Sequence, residues 1–378
     1  MMTEHVLITG GAGFIGSHLT RRFHAAGHRV TVLDAFTPQV HGNPDAVADT
    51  VRRLEEVAHV IRGTVESVEH IRQAIRDATI VIHLAAETGT GQSMYEIDRY
   101  VATNVGGTAK LLDVLGEGAH AVRRIVLASS RAVYGEGSYR TADGRVVYPP
   151  HRSATEMAAG RFDVTMSGEG PLTVIPTSED ALVHPSSVYG ITKHAQESLV
   201  MTVAPALGVE PVTLRYQNVY GPGQSLKNPY TGILSIFSTL IRLGKDINIF
   251  EDGLESRDFI YIDDVVEATY RATLDPRADG AVLNIGTGAS VTVRDVVAAL
   301  LDAYGSDVPT HVSGRYRVGD IRHNVADVER ARHLLGFAAS VPFETGVRAF
   351  AEWVRSESVE SDAYERSLDE MASRRLLS

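Results

Sequence analysis

The stretch Val6-Leu7-Ile8-Thr9-Gly10-Gly11-Ala12-Gly13-Phe14-Ile15-Gly16 constrains this chain more than any other. An apolar run long enough for one buried strand meets glycines at positions 10, 13 and 16, and an amphipathic stretch, Phe14–Ala26, follows. Gly10 permits a tight turn. Gly13 lets backbone N–H groups approach a diphosphate, which then sits at the positive end of the helix, and Gly16 lets helix pack closely on strand. A glycine pattern alone is weak; the strand before it and the helix after it supply the context. Further apolar runs follow at Val30-Thr31-Val32-Leu33, Val60-Ile61, Ile80-Val81-Ile82 and Ile125-Val126-Leu127, with a second amphipathic stretch at Tyr100–Leu115. Near-continuous apolar strands alternating with helices predict an α/β fold: a Rossmann-type, doubly wound parallel sheet covered on both faces. Such a sheet binds its ligand at the carboxyl ends of the strands, where the strand order reverses.

A chain of 378 residues exceeds one minimal domain. The reading is an NAD-binding domain over 1–217, interrupted by an insertion over about 136–185, and a smaller, partly interleaved α/β substrate-binding domain over 218–378, with 258–286 returning to the first. The insertion, Glu136 to Pro185, is rich in Gly, Pro, Ser and Thr and lacks a steady period; at that length it should hold small elements of its own. The tail Ser356–Ser378 is charged and reads as a terminal helix or a partly disordered segment. Net charge is −11, which argues against nucleic acid and anionic membrane as partners. No run reaches membrane-spanning length, and Met1-Met2-Thr3-Glu4-His5 lacks the basic start and apolar core of a signal peptide, so a cytoplasmic protein is expected. The chain has no cysteine, which removes disulfides, thiolate metal sites and cysteine nucleophiles, and no metal site is expected.

Asp34 follows the second strand about 20 residues past the glycines, where a carboxylate accepts bonds from the adenosine ribose and repels a 2′-phosphate. NAD is thereby favoured over NADP. Tyr189 and Lys193 lie four apart in Ser186-Ser187-Val188-Tyr189-Gly190-Ile191-Thr192-Lys193, at the start of a predicted helix reaching about Ala204, so they share one face. A phenol is a poor base at pH 7; a nearby ammonium and the positive nicotinamide would stabilise its phenolate. Tyr189 then takes a proton from a hydroxyl while the nicotinamide takes the hydride, and Lys193 also holds the nicotinamide ribose. Ser130, at the end of the Ile125 strand, is the hydroxyl chosen to bond the reacting oxygen; Ser129 is the alternative that merely satisfies backbone groups.

These motifs, with His83-Leu84-Ala85-Ala86, Asn104-Val105-Gly106-Gly107-Thr108, Leu214-Arg215-Tyr216-Gln217-Asn218-Val219-Tyr220-Gly221-Pro222 and Arg257-Asp258-Phe259-Ile260-Tyr261-Ile262-Asp263-Asp264-Val265, resemble the extended short-chain dehydrogenase/reductase family in its sugar-nucleotide epimerase and dehydratase branch, from Val6 to about Trp353. The resemblance implies cofactor contacts at Phe14, Ile15, Thr64, Val65, Leu84, Ala85, Ala86, Asn104, Ser129 and Tyr216, the last seating the nicotinamide. It implies substrate contacts at Thr88, Ser130, Asn218, Gly232 and Ile233, a diphosphate held by Arg257 and Arg317, and a nucleoside ribose at Asp320. Guanidinium suits the diphosphate because it binds phosphate oxygens in a fork. One departure is that relatives often carry Asp after the glycine of the adenine turn, whereas Thr64 follows Gly63. The resemblance also implies a homodimer pairing the helices around Tyr100–Leu115 and Val188–Ala204.

Family 4,6-dehydratases place an Asp–Glu pair directly after the catalytic hydroxyl for acid–base work at C5 and C6, and uronate decarboxylases usually keep the Glu. Here those positions are Arg131 and Ala132, which disfavours both reactions. A 4-ketoreductase would more often favour NADPH. The remaining expectation is 4-epimerisation of a dTDP- or UDP-linked sugar. The stretch Tyr216–Asn218 through Asn228–Phe237 looks most like enzymes acting on dTDP-6-deoxyhexoses. A non-catalytic NAD-binding regulator, the remote alternative, would be expected to lose Tyr189 or Lys193, and both are present.

Overall fold

The structure is a computed structural model that describes residues 3–118, 120–226, 228, 232–359, 362–374 and 376–377. Seven parallel strands form its central sheet: β1 (His5–Thr9), β2 (Arg29–Asp34), β3 (His59–Arg62), β4 (Ile80–His83), β5 (Arg124–Ser130), β6 (Glu210–Tyr216) and β7 (Val282–Ile285). Their spatial order is β3-β2-β1-β4-β5-β6-β7. The order reverses between β1 and β4, which opens a crevice beyond their carboxyl ends.

Alternation along each strand builds the two apolar layers. Val6 and Ile8 of β1 join Val32, Ile82 and Val126 on one face, packed by Leu19 and Phe23 of the helix Phe14–Ala25 and by Val265 and Ala268 of the helix Ile262–Leu274. Leu7, Leu33, Val81 and Leu127 point to the other face, under Ile71, Leu111 and Val200 from the helices Val68–Ile75, Gly107–Gly116 and Val188–Ala206. The helix that carries Asn104 begins as a wide π-type turn, Val101–Gly106.

The first apolar layer continues without a break into the second half of the chain, through Phe237 and Ile241, Val296 and Leu300, and Val347 and Phe350. Three small sheets lie there: Asn218–Tyr220 pairs with Phe259–Tyr261, Ile247–Ile249 with Thr310–Val312, and Ser256–Arg257 sits between Val291–Thr292 and His323–Asn324. The stretch 136–185 folds as its own antiparallel ribbon, with Tyr139–Arg140 between Val146–Val147 and Thr173–Val174, over a small core of Tyr139, Val147 and Val164. No helix among the described residues is long and apolar enough to cross a membrane.

Candidate active site

A cavity of about 430 Å³ opens where the central sheet meets the small sheets. Its sheet-side wall begins at the glycine turn. The helix Phe14–Ala25 starts at Gly13 with no side-chain cap and no acidic residue in its first turn, so its leading N–H groups face the crevice. A Cβ on Gly16 would lie 2.2 Å from the Gly10 carbonyl oxygen, so only glycine lets the helix seat this deeply. Asp34 closes the turn from behind. Its carboxylate accepts from the Ala12 N–H at 3.0 Å and the Phe36 N–H at 2.8 Å, and His41 stands 3.5 Å from its other side. Open helix amides, a glycine cradle and a carboxylate at the next strand end fit a dinucleotide.

Phe14, Ile15, Thr88, Ser129, Ser130, Tyr189 and Tyr216 line this cavity together with Asn218, Gly232, Ile233, Arg257, Arg317 and Asp320, so thirteen of the expected contacts meet around one space. Leu84, Ala85 and Ala86 continue from β4, with the Leu84 N–H on the Thr9 carbonyl and the Ala85 N–H on the Thr9 hydroxyl. Other expected contacts face elsewhere. Asn104 is fully buried, and its amide is committed to the Glu87 backbone and the Thr192 hydroxyl, which makes it a brace for the loop after β4. Val65 packs in the core against Gly107. The Thr64 N–H donates to His70 Nδ1. Ser129 borders the cavity, but its hydroxyl is given to Glu197. Pro229, Tyr230 and Thr231, part of the stretch read as characteristic of the sugar, lie outside the described residues.

Tyr189 is placed by two local devices. The Ser187 hydroxyl accepts from the Gly190 N–H at 3.1 Å and starts the helix there. A Cβ on Gly190 would lie 2.5 Å from the Ala132 carbonyl, so glycine lets this helix press against the turn Arg131–Tyr134 and brings the Tyr189 phenol to Ser130. Burial pushes that phenol above its ordinary value; hydrogen bonding from Ser130 and the charge of Arg131 oppose the rise. Lys193 was expected to act on Tyr189 and to hold the nicotinamide ribose; its ammonium donates to the Ala128 carbonyl at 2.9 Å. Burial lowers it to about 8, and Glu197 opposes the drop.

The cations divide differently from the expectation. Arg257 is nearly saturated: it donates to the carbonyls of Ser256, Ile321 and Arg322 and to the Asp320 carboxylate at 3.0 Å. Burial opposes ionisation of Asp320, yet Arg257, Arg317, Arg152 and Arg131 together hold its carboxyl below the usual range. Arg317 stacks on Phe250 at 5.0 Å, and its Nε is buried without a partner among the described residues. An orphaned guanidinium donor of this kind fits an incoming anion.

Several lining groups escaped the sequence reading. The Arg131 side chain enters the cavity and donates from Nε to Asn218 Oδ1 at 2.9 Å. Gln217 has both amide atoms buried without partners among the described residues. Glu255 Oε2 has no hydrogen-bond partner among the described residues, with Arg322 3.8 Å away, and burial raises its carboxyl to about 7. The tail also contributes, through Met371 and Leu376. Leu376 accepts from the Val318 N–H at 3.0 Å, while Glu370 accepts from the Tyr95 hydroxyl at 2.9 Å, so the tail crosses from one wall to the other. Arg152, from the 136–185 ribbon, grips Glu251 at 2.7 and 2.8 Å and the Asp320 carbonyl at 2.9 Å from outside the cavity. Adjacent aliphatic and aromatic residues hide such groups from a periodicity reading; only Arg131, directly after Ser130, carried a local signal.

Comparison with known proteins agrees with this geometry. Residues 6–156 and 164–286 match the model of the NAD dependent epimerase/dehydratase family. The dTDP-L-rhamnose 4-epimerase of Burkholderia thailandensis is 39% identical over 358 residues, covering 94% of this chain and 96% of that protein. The UDP-glucose 4-epimerase of Mycolicibacterium smegmatis is 30% identical over 353 residues, covering 93% and 99%. The crystal structure of UDP-glucuronic acid 4-epimerase from Bacillus cereus, in complex with UDP-glucuronic acid and NAD, superposes with a TM-score of 0.75 at 26% identity, covering 93% of this chain and 99% of that one.

Proposed function

We propose, from the premise that this chain belongs to the NAD dependent epimerase/dehydratase family, that it is an isomerase inverting C4 of a nucleotide-linked sugar, with a dTDP-6-deoxyhexose favoured. The observation that carries the reading is the Ser130–Tyr189 pair beside Arg131. Among the described lining residues, the carboxylates Glu251, Glu255 and Asp320 belong to the Phe250 side of the cavity, and the position that a dehydratase gives to an acid holds a cation. The absence of an acid or base at the dehydratase position favours drawing hydrogen off C4 and restoring it over elimination at C5 and C6. NAD, when bound, supplies the reversible acceptance of that hydride.

The residues of the chain do the rest. Tyr189 takes the C4 hydroxyl proton and later returns it. Ser130 holds the reacting oxygen. Lys193, beneath them, serves the nicotinamide ribose. The open amides of Phe14 and Ile15 hold the cofactor diphosphate, and Asp34 bonds the adenosine ribose. Arg317 supplies charge to the substrate diphosphate, and Asp320, pinned by Arg257, faces the nucleoside ribose. Decarboxylation, dehydration and ketoreduction on the same scaffold are the competing readings.

Incubation with dTDP-L-rhamnose, UDP-glucose, UDP-galactose and UDP-glucuronate, with C4 configuration followed by NMR, tests the assignment. Turnover confined to UDP-sugars rejects the dTDP reading, and solvent deuterium entering at C5 indicates dehydratase chemistry. A homodimer is part of the same reading. Ile97, Val101 and Ile191 are 52%, 43% and 53% exposed, on the helical segments that would pair, and a monomer by light scattering would refute it.

A further inference from the structure

The C-terminal segment adds a wall to the cavity that neither the central sheet nor the small sheets supply. Its helix, Asp362–Ser373, has 12 residues; Ser367 and Met371, four apart on one face, are buried, and Leu377 is buried beyond it. A helix of this length is marginal in water by itself, so its order depends on what it covers. On one side Met371 meets the loop after β4: a Cβ on Gly91 would lie 3.0 Å from its Sδ. On the other side the Leu376 carbonyl accepts from the Val318 N–H at 3.0 Å, and Leu377 pairs with Arg317 in an antiparallel bridge. Met371 and Leu376 both line the cavity.

The two walls joined in this way do different work. Gly91 belongs to the helix Thr90–Ser93, whose Ser93 hydroxyl accepts from the Tyr189 N–H at 3.0 Å, so Met371 stands on the side where the Tyr189 helix begins. Arg317 stacks on Phe250 with its Nε lacking a partner among the described residues, so Leu376 and Leu377 stand on the side prepared for an anion. The polar ties of the segment are peripheral. The Tyr95 hydroxyl donates to Glu370 at 2.9 Å, Arg374 lies 4.2 Å over the Tyr95 ring, and Lys245 pairs with Glu365 at 2.7 Å. Exposed pairs of this kind add little. None of these ties reaches the glycine turn. The attachment rests mainly on Met371 and Leu377, and a segment held by so few side chains parts from the cavity without unfolding the rest.

We propose that the helix Asp362–Ser373 and the residues Leu376 and Leu377 form a strap that closes over the bound nucleotide-sugar, with Met371 as its contact to the sugar and the Leu376–Val318 bond holding Arg317 toward the diphosphate. A thioether is unbranched and polarizable, so it keeps contact with a sugar that changes the face it presents. It suits an apolar substituent such as the methyl of a 6-deoxy sugar; a carboxylate in the same place would lose water and gain no partner. Substrate enters and product leaves when the strap lifts. The inference rests on the reading of the cavity as a nucleotide-sugar site.

The test reads the strap directly in the full-length protein, with Tyr189→Phe to hold the sugar unreacted. Arg366 and Arg374 are exposed on the segment, and trypsin cuts there when the strap lifts; the cut is followed by intact mass. The ligands are dTDP-L-rhamnose and UDP-glucose, with dTDP, UDP and NAD as controls. The nucleotide-sugar that binds should, at saturation, slow cleavage about tenfold or more, and NAD alone should change it less than twofold. By calorimetry, Met371→Ala should weaken the nucleotide-sugar about tenfold, its bare nucleotide less than threefold and NAD less than twofold. Nucleotide-sugar binding that leaves cleavage unchanged would overturn the strap. Equal protection by NAD alone would make the segment a closure on the cofactor and overturn its assignment to substrate. Equal losses for nucleotide and nucleotide-sugar in Met371→Ala would overturn Met371 as the sugar contact. Cleavage is measured with Met371 in place, so it decides the strap even if that variant does not fold. Binding of none of the nucleotides or nucleotide-sugars would instead overturn the nucleotide-sugar reading, and the strap with it.

Discussion

Acid should destabilise this protein through one histidine under the cofactor crevice. His83, at the end of β4, is 1% exposed and bonded at both ring nitrogens, to Thr9 Oγ1 at 2.8 Å and Thr108 Oγ1 at 2.9 Å. The network sets the tautomer. The Thr108 hydroxyl gives its proton to the Asn104 carbonyl at 2.6 Å, so His83 Nε2 must carry a hydrogen and donate to Thr108. Nδ1 is then bare and accepts from Thr9, whose oxygen also holds the Ala85 N–H at 3.2 Å. Protonating Nδ1 breaks that arrangement and buries a charge near Lys193; burial first, then Lys193, lowers the pKa to about 3.

A folded-state value below the unfolded one of about 6.5 means that the unfolded chain binds the proton first. Stability is therefore full above pH 6.5 and falls as pH drops toward 3. At pH 5 the loss from this residue is about 2 kcal/mol, from about 1.5 pH units at about 1.36 kcal/mol each. With an unfolding entropy of about 2.1 cal/mol/K per residue, that is a shift of about 2.5 °C in Tm. His5, His28 and His323 are also lowered by burial and steepen the same slope, so the parent alone does not isolate His83. Comparison with His83→Gln does, because the variant loses a fixed amount at every pH and keeps the other histidines. Thermal unfolding at pH 7.5 and 5.0 should show the parent losing about 2.5 °C more than the variant. Parallel losses would refute the assignment of a neutral, acceptor Nδ1.

Three further outcomes are expected. Gly16→Ala places a methyl 2.2 Å from the Gly10 oxygen, and overpacking of about 1–3 kcal/mol should weaken NAD binding about tenfold or more by calorimetry. Arg152→Met removes one of the two guanidinium partners of Glu251, Arg322 remaining at 3.2 Å, and leaves Glu136 with backbone donors only; it should cost about 1.5–3 kcal/mol in urea unfolding and raise KM, because the Asp320 carbonyl loses its anchor. Met371→Asp puts a charge into the cavity wall beside Gly91, and should raise KM for the nucleotide-sugar about tenfold while leaving NAD affinity unchanged in direct titration.

What could be read beforehand divides along a physical line. The glycine turn and the Tyr189–Lys193 spacing are each written within a few residues, the range at which turn geometry and helix period act, and Asp34 marks the next strand end. They located the crevice, the sheet and the helix that carries the phenol. Periodicity reports which face a side chain is on and nothing about what it will meet there. Asn104 lies in a stretch read for its helix, yet its amide is spent on Glu87 and Thr192. Arg152 and Glu251 meet across 99 positions of sequence, through a ribbon that has no period to read. The tail carried too few apolar residues to announce a packed end, but Met371 and Leu377 are buried because one narrow face suffices to cover the cavity mouth.

Charge shows the same division and has the most direct bearing on chemistry. A net of −11 describes the surface the molecule presents at a distance, not the interior of its cavity. Arg131, Arg257 and Arg317 all line that space, and only Arg257 is spent on Asp320 and backbone carbonyls. Arg131 gives its Nε to Asn218, and Arg317 stacks on Phe250 with its Nε lacking a partner among the described residues. On the Phe250 side, Glu251 is paired with Arg152 and Arg322, and burial raises the Glu255 carboxyl to about 7, so neither carboxylate cancels the Arg317 charge. Under the proposed function, a ligand with one anionic centre between an uncharged sugar and an aromatic base would meet Arg317 with that centre and extend its sugar toward Ser130 and Tyr189. Orientation by unpaired charge needs no close fit around the sugar itself, which is what a reaction that turns the sugar over between two faces requires.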